Sequence, residues 1–424
     1  MLLISCSSTP SGAIELITGE ESDTFSRQPA PTSLQVDAVD SSGNKRTLAT
    51  ASLPASSIDL GSLSASSAGT LHVVGTGAAG GRLVYGQSLP IEFGALDGQT
   101  MPVFVQRTGE LARMPSLPEA RPSPTLALLG GRFLFVGAGS DSSLSLASQL
   151  YDFAYFKALD PPLSLPRTPK SVVFVGTVAW LIDEGGATKF DFSQNTYVDV
   201  TPPPGGSFAD IAGGATVFAS DGSQYVVGAT RTAGPTKTVL AVDPKGASPF
   251  WVALSDVRLG AAATWVDGRG LVVAGGSETL PGVEIVGPGA LVGAALCYPP
   301  DASSGSAAAT LDGEHVLLAG GLTASGDDAG VRVVDLTRTT ACDPAQWGPL
   351  PMALATAQAF ASEPTNALVV GNDPSGITHV LRVTASAVTE VPTKTTHMGG
   401  RAIVSPVGSV ILYGGARELE SYVP

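Results

Sequence analysis

Four histidines, three cysteines and eight tyrosines are the residues of this 424-residue chain best suited to metal binding or nucleophilic chemistry. Imidazole, thiolate and phenolate serve as metal ligands only when the chain brings several of them to one point. His72 stands far from His315, His379 and His397, and no two histidines have the spacing of ligands to a common metal. Cys297 and Tyr298 are sequence neighbours, so they do not converge from separate strands. Paired acids occur at Asp183–Glu184 and Asp327–Asp328, in loop-like surroundings that suit solvated carboxylates better than a general acid and base. GGSET (275–279) and GAGSD (137–141) place serine after glycine without the strand–serine–helix context of a nucleophile elbow. No catalytic residue, metal ligand or cofactor is assigned on these grounds.

The elements that would carry a site are more legible. LVVAGG (271–276), LLAGG (317–321) and ILYGG (411–415) are apolar runs that each stop at a glycine pair. The ends of such runs fall at Gly137, Ile182, Gly228, Gly275, Gly320, Gly371 and Gly414, with steps of 45, 46, 47, 45, 51 and 43 residues. That period matches the four-stranded blades of a propeller. Glycine suits the end of the second strand, where the chain turns in crowded surroundings near the axis. A third strand follows, often ending in an acid, as at Tyr151–Asp152, Phe190–Asp191, Val242–Asp243 and Asp335. Tyr197, Trp251 and Trp347 fall in or near the fourth strand.

A double glycine, a variable stretch, Tyr-Asp and then Trp resembles the kelch repeat, and the resemblance covers roughly residues 102–424. It implies an all-β fold with a seven-bladed, kelch-like β-propeller. Kelch-type propellers include copper radical oxidases acting on sugars, whose site needs histidine and tyrosinate ligands and a Tyr-Cys crosslink from separated positions. The histidines and Cys297–Tyr298 do not supply that set, so no copper site is expected. The last unit (401–424) supplies three strands, and a segment within 103–113 is expected to pair as the outer strand of the seventh blade. Such closure removes exposed strand edges.

Residues 13–101 do not follow the repeat. AIELIT (13–18), SLQVDAV (33–39), GTLHVVGT (69–76) and GRLVYGQSLPIEF (81–93) read as short strands separated by turn-rich clusters. Their alternation predicts a small antiparallel sandwich, immunoglobulin-like in a loose sense.

Residues 1–12 read as a leader remnant and tether. Leu3-Ile4-Ser5-Cys6 resembles the bacterial lipobox, which implies acylation of the Cys6 thiol and a bacterial surface lipoprotein, with Ser7 resembling an outer-membrane signal. A secretory leader carries roughly 7–15 apolar residues, whereas five residues precede Cys6. Either the natural start lies upstream of Met1 or Cys6 is an ordinary terminal cysteine. Cys297 and Cys342 fall at opposite ends of neighbouring outer strands, beyond the reach of a disulfide, and are expected as two thiols.

Composition excludes some partners. A formal charge of −14 and the lack of any Lys/Arg-rich run beyond Lys45–Arg46 argue against nucleic acid. No apolar run reaches the roughly 18 residues of a membrane span, so membrane attachment would rest on a lipid at Cys6. The expected function is a non-enzymatic, envelope-anchored binding or scaffolding protein that contacts a protein or glycan. Alternatives are a carbohydrate-active propeller enzyme and a structural subunit of an envelope assembly. The varied loops between second and third strands are the expected binding face. They carry Asp141, Glu278, Asp327, Asp328 and Asp373, with Arg231 and Lys237 as exceptions, and so favour a polar or basic partner.

Overall fold

The computed structural model describes residues 11–424 apart from 62, 64–66, 138–145, 161–162, 229–233, 245–247, 280, 325 and 341. Cys6 and Asp141 lie outside the described residues, as does the Asp327 side chain. Seven antiparallel sheets follow one another around a ring, and the first inner strand neighbours the last. The inner strands begin at Thr125, Ser171, Ala215, Ala262, Ala307, Gln358 and Arg401. Among the described residues there is no α-helix. The protein is an all-β, seven-bladed propeller with a separate N-terminal β-unit.

The apolar runs of the second strands follow from this arrangement. Each blade is covered on both faces by its neighbours, so alternate side chains enter two different cores. In blade 5, Leu317 packs with Val369 and Leu381 of blade 6, while Leu318 packs with Val272 and Ala274 of blade 4. The same exchange at every junction yields seven apolar clusters, one between each pair of adjacent blades. Side-chain bonds reinforce some junctions. The Gln358 amide donates to the Ala402 carbonyl at 2.9 Å and accepts from the Ala402 N–H at 2.8 Å, joining blade 6 to blade 7.

Two glycine positions show why the repeat carries glycine at the end of its second strand. Gly275 has φ +75°, and a Cβ there would lie 2.7 Å from the Ser303 carbonyl oxygen in the chain entering blade 5. Gly414 has φ +141°, and a Cβ would lie 2.8 Å from the Gly400 Cα. Positive φ and close backbone approach exclude any larger residue.

The seventh blade is completed by Leu111–Met114, which pairs antiparallel with Leu419–Tyr422. The residues just before it belong elsewhere. Thr100–Arg107 pairs with Gly12–Ile17 through its first half and with Arg82–Gln87 through its second. Residues 102–107 thus lie in the N-terminal sheet, and only the turn 108–110 separates that sheet from the strand closing the ring.

The N-terminal unit is one hydrogen-bonded path of strands around a single core that includes Ile14, Leu34, Leu71, Val84 and Val103. It departs from the antiparallel sandwich expected for residues 13–101, because Gly12–Ile17 and Thr100–Arg107 run parallel. The long intervening chain supplies the crossover that a parallel pair needs. At the junction with the propeller, Glu110 pairs with Arg27 at 2.6 Å, Arg107 at 3.2 Å and Lys394 at 3.2 Å. Against its partial burial, Lys394 and Arg27 hold the Glu110 carboxyl below the usual carboxylate range.

The two remaining cysteines correct the expectation of free thiols. Cys297 and Cys342 form a disulfide with Cα atoms 5.4 Å apart. The fourth strands of blades 4 and 5 are only two residues long, Ala294–Ala295 and Ala345–Gln346, so their two ends are never far apart. The chain after the third strand of blade 5 also leans onto blade 4. The Tyr298 hydroxyl donates to the Asp335 carbonyl at 2.7 Å, and Leu336 and Cys342 share a core with Tyr298 and Val272. Cross-linking residues 45 apart in sequence restricts the unfolded chain by about 4 kcal/mol in the loop-entropy description.

Candidate functional site at the mouth of the ring

The chain enters each inner strand and leaves each second strand on the same face of the ring. On that face an open cavity of about 440 Å³ lies over blades 5, 6 and 7. Its lining includes Ser123, Leu322, Thr356, Asn372, Asp373 and Arg401. The volume lies in the range of small-molecule sites.

Asn372 organises this cavity. Blades 4, 5 and 7 carry a second glycine at the equivalent point (Gly276, Gly321 and Gly415), whereas blade 6 follows Gly371 with asparagine. The Asn372 amide donates to Thr356 Oγ1 at 2.7 Å and to the Gly400 carbonyl at 3.3 Å, and it accepts from Thr378 Oγ1 at 2.7 Å. The Gly400 N–H in turn donates to Thr378 Oγ1 at 2.8 Å. The network fixes the entry of blade 7 against blade 6, immediately before Arg401.

Arg401 opens the inner strand Arg401–Val404 and is partly exposed. Its side chain has no hydrogen-bond or ion-pair partner among the described residues, and desolvation lowers its pKa from the ordinary arginine value. The other inner strands open on neutral residues: Thr125, Ser171, Ala215, Ala262, Ala307 and Gln358. Ser123 sits across the cavity with φ +50°, a conformation that costs a non-glycine residue free energy and concentrates at functional sites.

Of the acids singled out in the sequence, the described ones lie on successive blades of this face, and Asp328 and Asp373 are engaged. Glu278 is exposed on the blade 4 loop. Asp327 belongs to the short strand Gly326–Asp327. Asp328 accepts from the Gly330 N–H at 2.7 Å and pairs with Arg332 at 3.5 Å. Asp373 lines the cavity, but its carboxylate accepts from the Ser375 hydroxyl at 2.7 Å and the Ile377 N–H at 2.9 Å. The Ser375 hydroxyl leads in holding that carboxyl below its ordinary range. Arg401, Asn372 and Ser123 were missed in the sequence reading. The available signals were the broken glycine pair at 371–372 and the one charged residue opening an inner strand.

Each histidine is held by local partners. His315 meets Asp312 at 3.0 Å, His379 meets Glu390 at 2.9 Å, and His72 meets the Tyr85 hydroxyl at 2.8 Å. His397 is buried between the Gly414 carbonyl at 2.9 Å and Glu420 at 3.2 Å. Among the described residues no three His, Cys, Asp or Glu side chains are grouped to hold a metal ion.

These features define a seven-bladed propeller with a preformed cavity at one mouth of its ring. No protein family profile matches the chain, and no curated protein matches it. Among solved structures it is similar to a fungal alcohol oxidase of the AA5 family, described in complex with copper, at 12% identity and a TM-score of 0.49. The match covers 74% of this chain and 76% of the oxidase. Cys297 is committed to a disulfide, and both oxygen functions of the neighbouring Tyr298 hydroxyl are taken up by the Asp335 backbone.

Proposed function

We propose that this protein is a binding protein of the bacterial cell envelope that takes a glycan or protein partner on the propeller face carrying the second-to-third-strand loops. The observation that carries the reading is the cavity between blades 5 and 7, whose walls are pre-set by the Asn372 network. A site fixed before binding loses less free energy to ordering its groups. Kelch-like units, which hold loops of varied length on a rigid ring, suit the same role. A matched pair of variants tests it. Pro374→Trp puts an indole on an exposed loop position at the cavity, and Gly313→Trp does the same on a turn of the opposite face. On an array of neutral and acidic oligosaccharides, Pro374→Trp should weaken binding at least tenfold and Gly313→Trp should leave it unchanged. The reverse pattern would move the site to the other face, and turnover of a bound sugar would replace binding with catalysis.

The envelope address is part of the same proposal. The disulfide supports an oxidising compartment, where such bonds persist, and among the described residues no helix is long and apolar enough to cross a membrane. A lipid on Cys6 would supply attachment. Expressed in a bacterium behind a complete leader, the protein should incorporate labelled fatty acid and partition with detergent. The Cys6→Ala variant should lose the label, and an unlabelled, soluble wild type would remove the anchor from this account.

A further inference from the structure

We infer that the cavity takes a small carboxylate, of the size and character of one acidic sugar, on the guanidinium of Arg401. The inference rests on the binding role proposed above and names the ligand chemistry of that site. Three observations converge. First, the Arg401 side chain lines the cavity without an ion-pair or hydrogen-bond partner among the described residues, in a chain that carries a formal charge of −14. A partly desolvated cation with no partner is costly to fold around, and such a cost is usually retained for function. Second, the planar guanidinium fork fits a carboxylate through two parallel hydrogen bonds. Third, the cavity holds hydroxyls for a polyol. Ser123 Oγ bonds no described residue, and Thr356 Oγ1 accepts from Asn372 while its own proton remains to be donated.

Charge balance selects the carboxylate over more highly charged anions. One guanidinium neutralises one negative charge, and Asp373 stands in the same lining with its carboxylate ionised by its turn. A phosphate dianion would leave excess negative charge beside Asp373. The acids of the outer loops and the cation at the mouth therefore do different work. The loops repel anions at a distance, and Arg401 accepts one that enters.

The test uses the full chain with glucuronate, glucose and sulfate as separate probes, followed by titration calorimetry and by thermal unfolding. Glucuronate should bind and raise Tm, with glucose and sulfate at least tenfold weaker. Arg401→Gln should cut glucuronate affinity at least tenfold and, because it removes an unpaired cation, should keep or raise the Tm of the free protein. Sulfate binding as tight as glucuronate, glucose binding as tight as glucuronate, or unchanged affinity in Arg401→Gln would each overturn the inference. Its failure is separable from that of the binding role. Array binding that Pro374→Trp abolishes, together with no preference for glucuronate, removes the carboxylate and keeps the site. Array binding indifferent to Pro374→Trp removes both.

Discussion

Met114→Asp is expected to leave little or no soluble monomer. Met114 is fully buried in the core between blades 7 and 1, against Leu419, Tyr413 and Leu134, and lies in the strand that completes the last blade. A carboxylate there has no cation within the cluster. The loss is roughly 4 kcal/mol or more, since an uncompensated buried charge and a lost apolar side chain act together. The effect should exceed that of an equivalent change inside a middle blade. Loss of Leu111–Met114 opens the ring and exposes the edge of Leu419–Tyr422 to other chains. Size-exclusion chromatography and thermal unfolding report it. Arg113→Gln is the control in the same strand, because Arg113 points to Glu20 and Glu21 of the N-terminal unit and is partly exposed. A cooperative, monomeric Met114→Asp protein would show that the ring stands without this strand.

Arg258→Met is expected to cost about 3–5 kcal/mol, because it leaves Glu284 buried without its cation. Both side chains are fully buried, with Arg258 Nη2 2.8 Å from Glu284 Oε1. Arg258 also donates to the carbonyls of Gly275 at 2.8 Å, Gly282 at 3.1 Å and Pro281 at 2.7 Å. Glu284 accepts from the Ser255 N–H at 2.7 Å. One side chain from the last strand of blade 3 thereby ties down the end of the second strand and the start of the third in blade 4. The double variant Arg258→Met/Glu284→Leu should recover part of the loss, since no charge then remains buried, although the three carbonyls lose their donor. Denaturant titration of the two single variants and the double variant checks this. Additive losses would mean that the pair is not coupled.

The blade repeat was readable because one steric requirement recurs at the end of each second strand, and glycine answers it in most units. Cys297 and Cys342 form a bridge that the sequence did not show because the chain from Leu336 lies outside that periodic pattern, and its lean onto blade 4 depends on Tyr298 meeting Asp335. The boundary near residue 102 was equally hard to see. VFVQR (103–107) has the apolar content of a propeller strand, yet its partners are residues 12–17 and 82–87. Loop variety in the sequence suggested a face, but not the chemistry of the cavity that lies on it. Acids such as Asp328 and Asp373 look solvated in the sequence, and only the fold shows them engaged with Arg332 and with the 373–377 turn. Arg401 carries the opposite lesson, since its missing partner is visible only once its surroundings are built.

The strand that closes the ring also sets a schedule for the ribosome. Leu111–Met114 is made before any of the other blade strands, whereas its partner Leu419–Tyr422 is made after all of them. About 300 residues separate the two events, a delay of roughly 15–60 s at ordinary rates of synthesis. During that interval six blades can stack in order of synthesis, but the seventh has only its outer strand and the first lacks one neighbour. The early strand does not wait alone. Through the turn 108–110 it hangs from a sheet already completed by residue 107, where Arg107 grips the carbonyls of Arg27 at 3.1 Å and Pro29 at 3.0 Å. The N-terminal unit thus acts as the fixed half of a clasp, holding one side in place until the nascent chain delivers the other.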